Sequence, residues 1–249
     1  MKLYLMTIGI LVLSSCVMPN SEAKSKSTCL AIDIGHSIKD VGSVSARGVG
    51  EFEFNFILAK EIATHLKQSG FNCINIINED GSMAGDEGLR ERTEFANSQK
   101  FDLFLSIHHD SVQRTFLEEW NYNGRTLKKS NAFSGFSLIY SEENAKSQKS
   151  KQFAELLGRA LKKRGLRPTN YHALDIPGER RRLITPELGI YDIEFWVVKS
   201  TKMPAVLLEV GFIINSEEEL LLSSPSYRDK IVKSIEEAVE LFPRSKNVP

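Results

Sequence analysis

The chain has 249 residues, 41% of them apolar and 26% charged, with 32 basic against 32 acidic side chains. That size and balance fit one globular domain with a single sizeable core, and exclude disordered, collagen-like and membrane-bundle chains. A net charge of zero offers no basic surface for nucleic acid, so no such partner is expected.

Lys2 precedes an apolar run from Leu3 to Leu13, followed by the small residues Ser14 and Ser15. Such a run is too short to cross a hydrocarbon core, which takes about 20 residues in a helix, so residues 1–15 read as a secretory signal peptide. Leu13-Ser14-Ser15-Cys16 resembles the lipobox of bacterial lipoproteins, which makes Cys16 the expected lipidation site and residues 16–28 a polar tether. The protein is then exported and held at the membrane by its N-terminal lipid. Val17, rather than Asp, after the cysteine favours an outer-membrane position facing the periplasm if the cell is Gram-negative. Cys29 and Cys73 both lie in predicted strands; an oxidising compartment allows a disulfide, and two buried free thiols are equally compatible with the pattern.

Beyond the tether, apolar segments alternate with amphipathic ones. Strands are predicted at Cys29 to Ile34, Cys73 to Ile77 and Leu103 to Ile107, with helices between them, an alternation that signals an α/β fold with a largely parallel sheet. Glu51 to Gln68 places Phe52, Phe56, Ala59, Ala63 and Leu66 at spacings of three and four, with Gly70 where a helix stop is expected. Residues 89–98 read as a helix, Asp110 to Ser134 as a polar connection, and Phe136 to Tyr140 as a strand. Residues 147–164 form a helix with Phe153, Leu156, Leu157, Ala160 and Leu161 inward, and Ala205 to Val210 is a buried strand. Ser216 with Glu219 gives a capping-box signature, and residues 226–242 close the chain with Ile231, Ile235, Ala238 and Phe242 on the buried face. One domain over residues 29–243 is expected, with 244–249 as a tail, and the protein is read as a monomer.

The chemistry is announced where polar residues end apolar strands: His36 after Ile32-Asp33-Ile34-Gly35, His108 after Phe104-Leu105-Ser106-Ile107, and Glu209 after Val206-Leu207-Leu208. In open α/β sheets the carboxyl ends of strands line the binding crevice, so these side chains should converge there. Glu51 opens the helix after the His36 loop and reaches the same rim. Two imidazoles and a carboxylate are a set that binds catalytic zinc with one position left open, and a further carboxylate is then needed to move a proton. Glu209, on a rigid buried strand, suits that second task.

These positions also carry a family resemblance. Gly35-His36-Ser37 with Asp40-Val41-Gly42, Glu51 with Asn55, Leu89 with Arg92, Ala96 and Asn97, Ser106-Ile107-His108, and Pro204 to Phe212 with Asn215 are similar, in order, to the zinc-dependent N-acetylmuramoyl-L-alanine amidases of the Amidase_3 type. The resemblance runs from about Cys29 to Phe242. It implies a mixed sheet of about six strands flanked by helices, with His36, Glu51 and His108 as zinc ligands and Glu209 as the catalytic acid/base. The implied substrate is peptidoglycan or a muropeptide, cut at the amide between N-acetylmuramic acid and L-alanine. Glu53 is an alternative opening carboxylate. His109 and Asp110 are assigned to the rim of the site, His172 to substrate or to support of a ligand, and Arg180, with Arg181 and Arg182, to the carboxylates of a stem peptide. Rival readings are a zinc carboxypeptidase acting on stem peptides and a wall-binding lipoprotein without catalysis. Ser21-Glu22-Ala23-Lys24, an S-x-x-K match, lies in the tether and is set aside.

Within Asp110 to Ser134, the stretch Phe116-Leu117-Glu118-Glu119-Trp120 has room for little more than one helical turn before Asn121, Asn123 and Gly124 favour a reversal. Some relatives block the zinc with a glutamate on a long helix at this place; here the connection is too short for one, so an open site is expected.

Overall fold

The computed structural model describes residues 26–243. The signal peptide, Cys16 and most of the tether fall outside the described residues. Among the described residues nine strands form: β1 (Lys26–Ile34), β2 (Phe71–Ile77), β3 (Leu103–Asp110), β4 (Glu118–Tyr122), β5 (Arg125–Lys129), β6 (Ser137–Tyr140), β7 (Arg182–Thr185), β8 (Ile190–Asp192) and β9 (Ala205–Phe212). The helices are α1 (Glu51–Gln68), α2 (Gly85–Ser98), α3 (Ser147–Lys163), α4 (Trp196–Ser200), α5 (Glu218–Leu222) and α6 (Pro225–Leu241).

The main sheet has seven strands in the order β2-β1-β3-β9-β6-β8-β7, one more than the resemblance implied. Strands β2, β1, β3 and β9 run parallel, β6 is antiparallel to β9, β8 is parallel to β6, and β7 closes the edge antiparallel to β8. The chain is thus a single α/β domain with a mixed, mostly parallel sheet. β1, β3 and β9 are near-continuous apolar runs because both their faces are covered. Leu30, Ile32, Leu105, Ile107 and Leu208 meet the buried faces of α1, α3 and α6 on one side. Ala31, Phe104 and Leu207 face Ala96 of α2 and Val197 and Val198 of α4 on the other.

Cys29 and Cys73 are joined in a disulfide across the β1/β2 register, which decides between the two states the sequence left open. α1 has the expected ends but a different buried face. Phe54, Leu58 and Ile62 turn inward with Ala59, Ala63 and Leu66, while Phe52 and Phe56 are only half-buried. Leu156 on α3 is likewise half-buried, with Ala154 taking an inward place.

The connection from Asp110 to Ser134 departs most from expectation. Instead of a helical turn over residues 116–120, a short 3-10 turn at Arg114–Phe116 leads into the β4–β5 hairpin. Asn123 and Gly124 reverse it with φ of 51° and 76°, the two left-handed positions that a tight hairpin turn requires. The expected capping box at Ser216 does not form either. Asn215 Oδ1 accepts the N–H groups of Glu217 and Glu218, Ser216 Oγ donates to Asn131, and Glu219 pairs with Arg47. Among the described residues no helix is long and apolar enough to cross a membrane.

Candidate metal centre

β1 ends in the Gly35-His36 turn, and His36 sits at φ 64°, a left-handed conformation unusual for a side-chain-bearing residue. A buried polar clamp holds it there. Asn78 Nδ2 donates to the carbonyls of Ile34 at 3.0 Å and His36 at 2.7 Å. Arg92, buried on α2, donates to Ile34 O at 3.1 Å, to Met83 O at 2.6 Å and to His36 O. Arg92 stands 3.7 Å from Asp33, whose other oxygen accepts from Ser106 at 2.6 Å.

Glu51, the first residue of α1, is buried and reaches over the sheet end. Its oxygens lie 3.1 Å from His36 Nε2 and 3.0 Å from His108 Nδ1. They also accept the backbone N–H groups of Ser43 at 3.1 Å and His109 at 3.2 Å, and the Asn55 amide at 3.3 Å. Burial opposes the charge on Glu51, but the His108 and His36 hydrogen bonds override it and hold the carboxyl well below the usual carboxylate range. The three side chains offer ligand atoms within 4.8 Å of one another.

Two imidazoles and a carboxylate leaving room for another ligand fit a zinc-type catalytic site. The backbone is cut to that shape. A Cβ on Gly35 would stand 2.3 Å from His108 Nε2, and one on Gly42, at φ 73°, would stand 2.5 Å from the His36 ring. Only glycine allows both rings to lie against the turn.

Glu53 does not join the cluster, because the carboxylate that reaches both imidazoles is Glu51. Glu209 is in register with His108 across the β3/β9 pair, so both side chains emerge on the same side of the sheet. Its carboxyl is raised well above the ordinary value, first by burial and then by the neighbouring charges of Asp110 and Glu51. His109 is not at the rim, as its place beside His108 had suggested. Strand alternation turns it into the core, where it is 2% exposed, contacts the Phe54 ring, and bonds through Nδ1 to Asn55 Oδ1 at 2.7 Å. Burial lowers its pKa to about 3, so it is a neutral ring bracing the α1 side of Glu51.

Asp110 and His172 meet each other, with Oδ2 and Nε2 2.9 Å apart. Arg180 is exposed and pairs with Asp175 in its own loop, while Arg182 on β7 pairs with Glu142 and Asp192. Asn78, Ser43 and Glu179 carry no mark in the sequence, being polar residues in loops. Arg92 does carry one, since it stands in the buried stripe of its helix with Leu89 and Ala96, where a charge needs a partner.

The model of the family described as N-acetylmuramoyl-L-alanine amidase matches residues 30–241. The N-acetylmuramoyl-L-alanine amidase AmiA of Escherichia coli is 27% identical over 89% of this chain and 78% of its own. The amidase LytC of Bacillus subtilis is 28% identical over 86% of this chain, which spans 35% of LytC. Among solved structures, an N-acetylmuramoyl-L-alanine amidase from Clostridium difficile 630 superposes with a TM-score of 0.66 at 22% identity, covering 87% of this chain and 96% of that one; this likeness carries the fold. With nearly the whole described domain inside the family match, and the ordered motifs in the places where its sheet converges, the chain belongs to the N-acetylmuramoyl-L-alanine amidase family.

Proposed function

We propose that this protein is a zinc-dependent hydrolase of peptidoglycan that cuts the amide between the lactyl group of N-acetylmuramic acid and L-alanine. The observation that carries the reading is that His36, Glu51 and His108 bring ligand atoms within 4.8 Å of one another, with Glu209 in register with His108. Zinc bound by these three side chains supplies Lewis acidity to the amide carbonyl and to water. Glu209 takes the proton from the attacking water and delivers it to the departing nitrogen. The C–N bond breaks, leaving a lactyl carboxylate and the free amino group of L-alanine. A buried carboxyl with raised proton affinity suits a group that must hold a proton between those two events. Two histidines and Glu51 are left to hold the metal, and Asn55 and the His109 N–H fix the Glu51 carboxylate from behind.

The N-terminal pattern supports export, acylation of Cys16 and attachment to the bacterial envelope, with the tether joining lipid to domain. Incubation of the full chain with purified muropeptides should release stem peptides bearing a free L-alanine amino group, detected by mass spectrometry. A chelator should stop the release and added zinc should restore it. Release of terminal D-alanine with an intact muramoyl amide would instead make the protein a carboxypeptidase.

A further inference from the structure

Among the described residues, Glu209 Oε2 and Ser137 Oγ are buried without a hydrogen-bond partner, and beside them Asp110 Oδ2 and His172 Nε2 face each other as a buried close pair. Sheet register brings Asp110, Ser137 and Glu209 together. Glu209 pairs with His108 on β3 and with Ser137 on β6, and Asp110 ends β3. The His172 ring bridges them from above, with Nε2 2.9 Å from Asp110 Oδ2 on β3 and its edge against Tyr191 on β8 at a centroid distance of 5.5 Å. Between β3 and β8 lie β9 and β6, the strands of Glu209 and Ser137. An imidazole touching both outer strands therefore sits over Glu209.

His172 is gripped on both nitrogens, since Nδ1 lies 2.9 Å from Glu179 Oε2. Glu179 is itself held by Gln113 Nε2 at 2.9 Å, and the His172 carbonyl accepts from Arg181 N at 2.6 Å. A carboxyl group at each ring nitrogen fixes the ring from both sides and favours the imidazolium form, while burial raises the proton affinity of Asp110 as well. Burial works against that charge, but Asp110 and Glu179 override it and push the pKa up to about 10. Glu209 faces negative charge from Asp110 and Glu51, and positive charge from His172.

We infer that His172 is a positioning residue: its ring, clamped between Asp110 and Glu179 and packed against Tyr191, covers Glu209 and holds its carboxyl group in place on β9. The inference rests on the reading of Glu209 as proton carrier. It gives the 171–181 loop a task in the reaction although none of its residues is a metal ligand.

The test is a double-mutant cycle in the full chain, with zinc content, kcat and KM measured on a purified muropeptide. His172→Gln should keep zinc and leave KM within about twofold, while lowering kcat by roughly tenfold or more. In a Glu209→Gln background the same change should cost less than about twofold, because coupled groups are non-additive. Wild-type kcat in His172→Gln, or the full loss repeated in the Glu209→Gln background, overturns the inference. Should His172→Gln fail to fold by circular dichroism, Glu179→Gln removes one clamp and leaves the ring. It should lower kcat by roughly threefold or more in the wild-type background and not in Glu209→Gln; an unchanged kcat again overturns the inference. Full turnover by Glu209→Gln sinks the proton-carrier reading itself, whereas an inactive Glu209→Gln beside an unaffected His172→Gln sinks only the role of His172.

Discussion

Glu51 and Glu209 are both buried carboxylates, and their surroundings drive them in opposite directions. Glu51 is given two imidazoles, two backbone N–H groups and an amide, so its charge is stabilised. Glu209 is given burial and two like charges, so its affinity for a proton is raised. Such a pair divides labour between holding a cation and carrying a proton. His36→Ala or His108→Ala should therefore lose bound zinc and activity together. Glu209→Gln should keep zinc, read by atomic absorption, and lose turnover by roughly 100-fold or more; an empty metal site in that variant would make Glu209 a ligand instead. His36, Glu51 and His108 are legible in the sequence because each ends an apolar strand or opens a helix with its polar side chain. His109, expected at the rim, lies in the core because strand alternation sends it to the face of β3 opposite His108, where α1 covers it.

At the scale of elements, long periodic segments could be read and short ones could not. α1 runs from Glu51 to Gln68 as its spacing predicts, yet the inward face passes through Phe54, Leu58 and Ile62, because this helix has apolar residues on more than half its circumference. β7, β8 and α4 are three to five residues long, too short to show a period. The arginine run at 180–182 hid the start of β7, where Arg182 serves an edge-strand ion pair. The β4–β5 hairpin stands over the metal-centre loop. Trp120 Nε1 donates to Ala46 O at 2.8 Å, and the Arg47 guanidinium lies 5.3 Å from the Tyr122 ring. Its acidic residues are turned elsewhere, with Glu118 3.4 Å from Lys129 and Glu119 exposed. Replacing Glu118 and Glu119 together by Gln should leave muropeptide turnover within about twofold, as expected for surface charges outside the site. A large rise would identify one of them as a plug over the metal.

For the molecule as a whole, the Cys29–Cys73 bond closes a sequence separation of 44 residues and fastens β2 to the strand that delivers His36. Its removal in a Cys29→Ala, Cys73→Ala variant should cost about 2–4 kcal/mol and lower the melting temperature by roughly 5–15 °C in a calorimeter. Metal stoichiometry should stay the same, because neither cysteine touches the centre. Cys16→Ser should move the exported protein from the membrane fraction to the soluble one, since a lipid anchor holds by burying methylenes at about 0.8 kcal/mol each; equal partition of mutant and parent would end the lipoprotein reading. The position of β9 has a consequence for when this chain becomes active. It is the last strand to be made, yet it is inserted between β3 and β6, at the middle of the sheet. A nascent or truncated chain ending before Ala205 can own His36, Glu51 and His108 but has no Glu209 and no central strand to join its two halves. Such long-range pairing forms late and slowly. Glu209 therefore comes into register with His108 in the same event that completes the core.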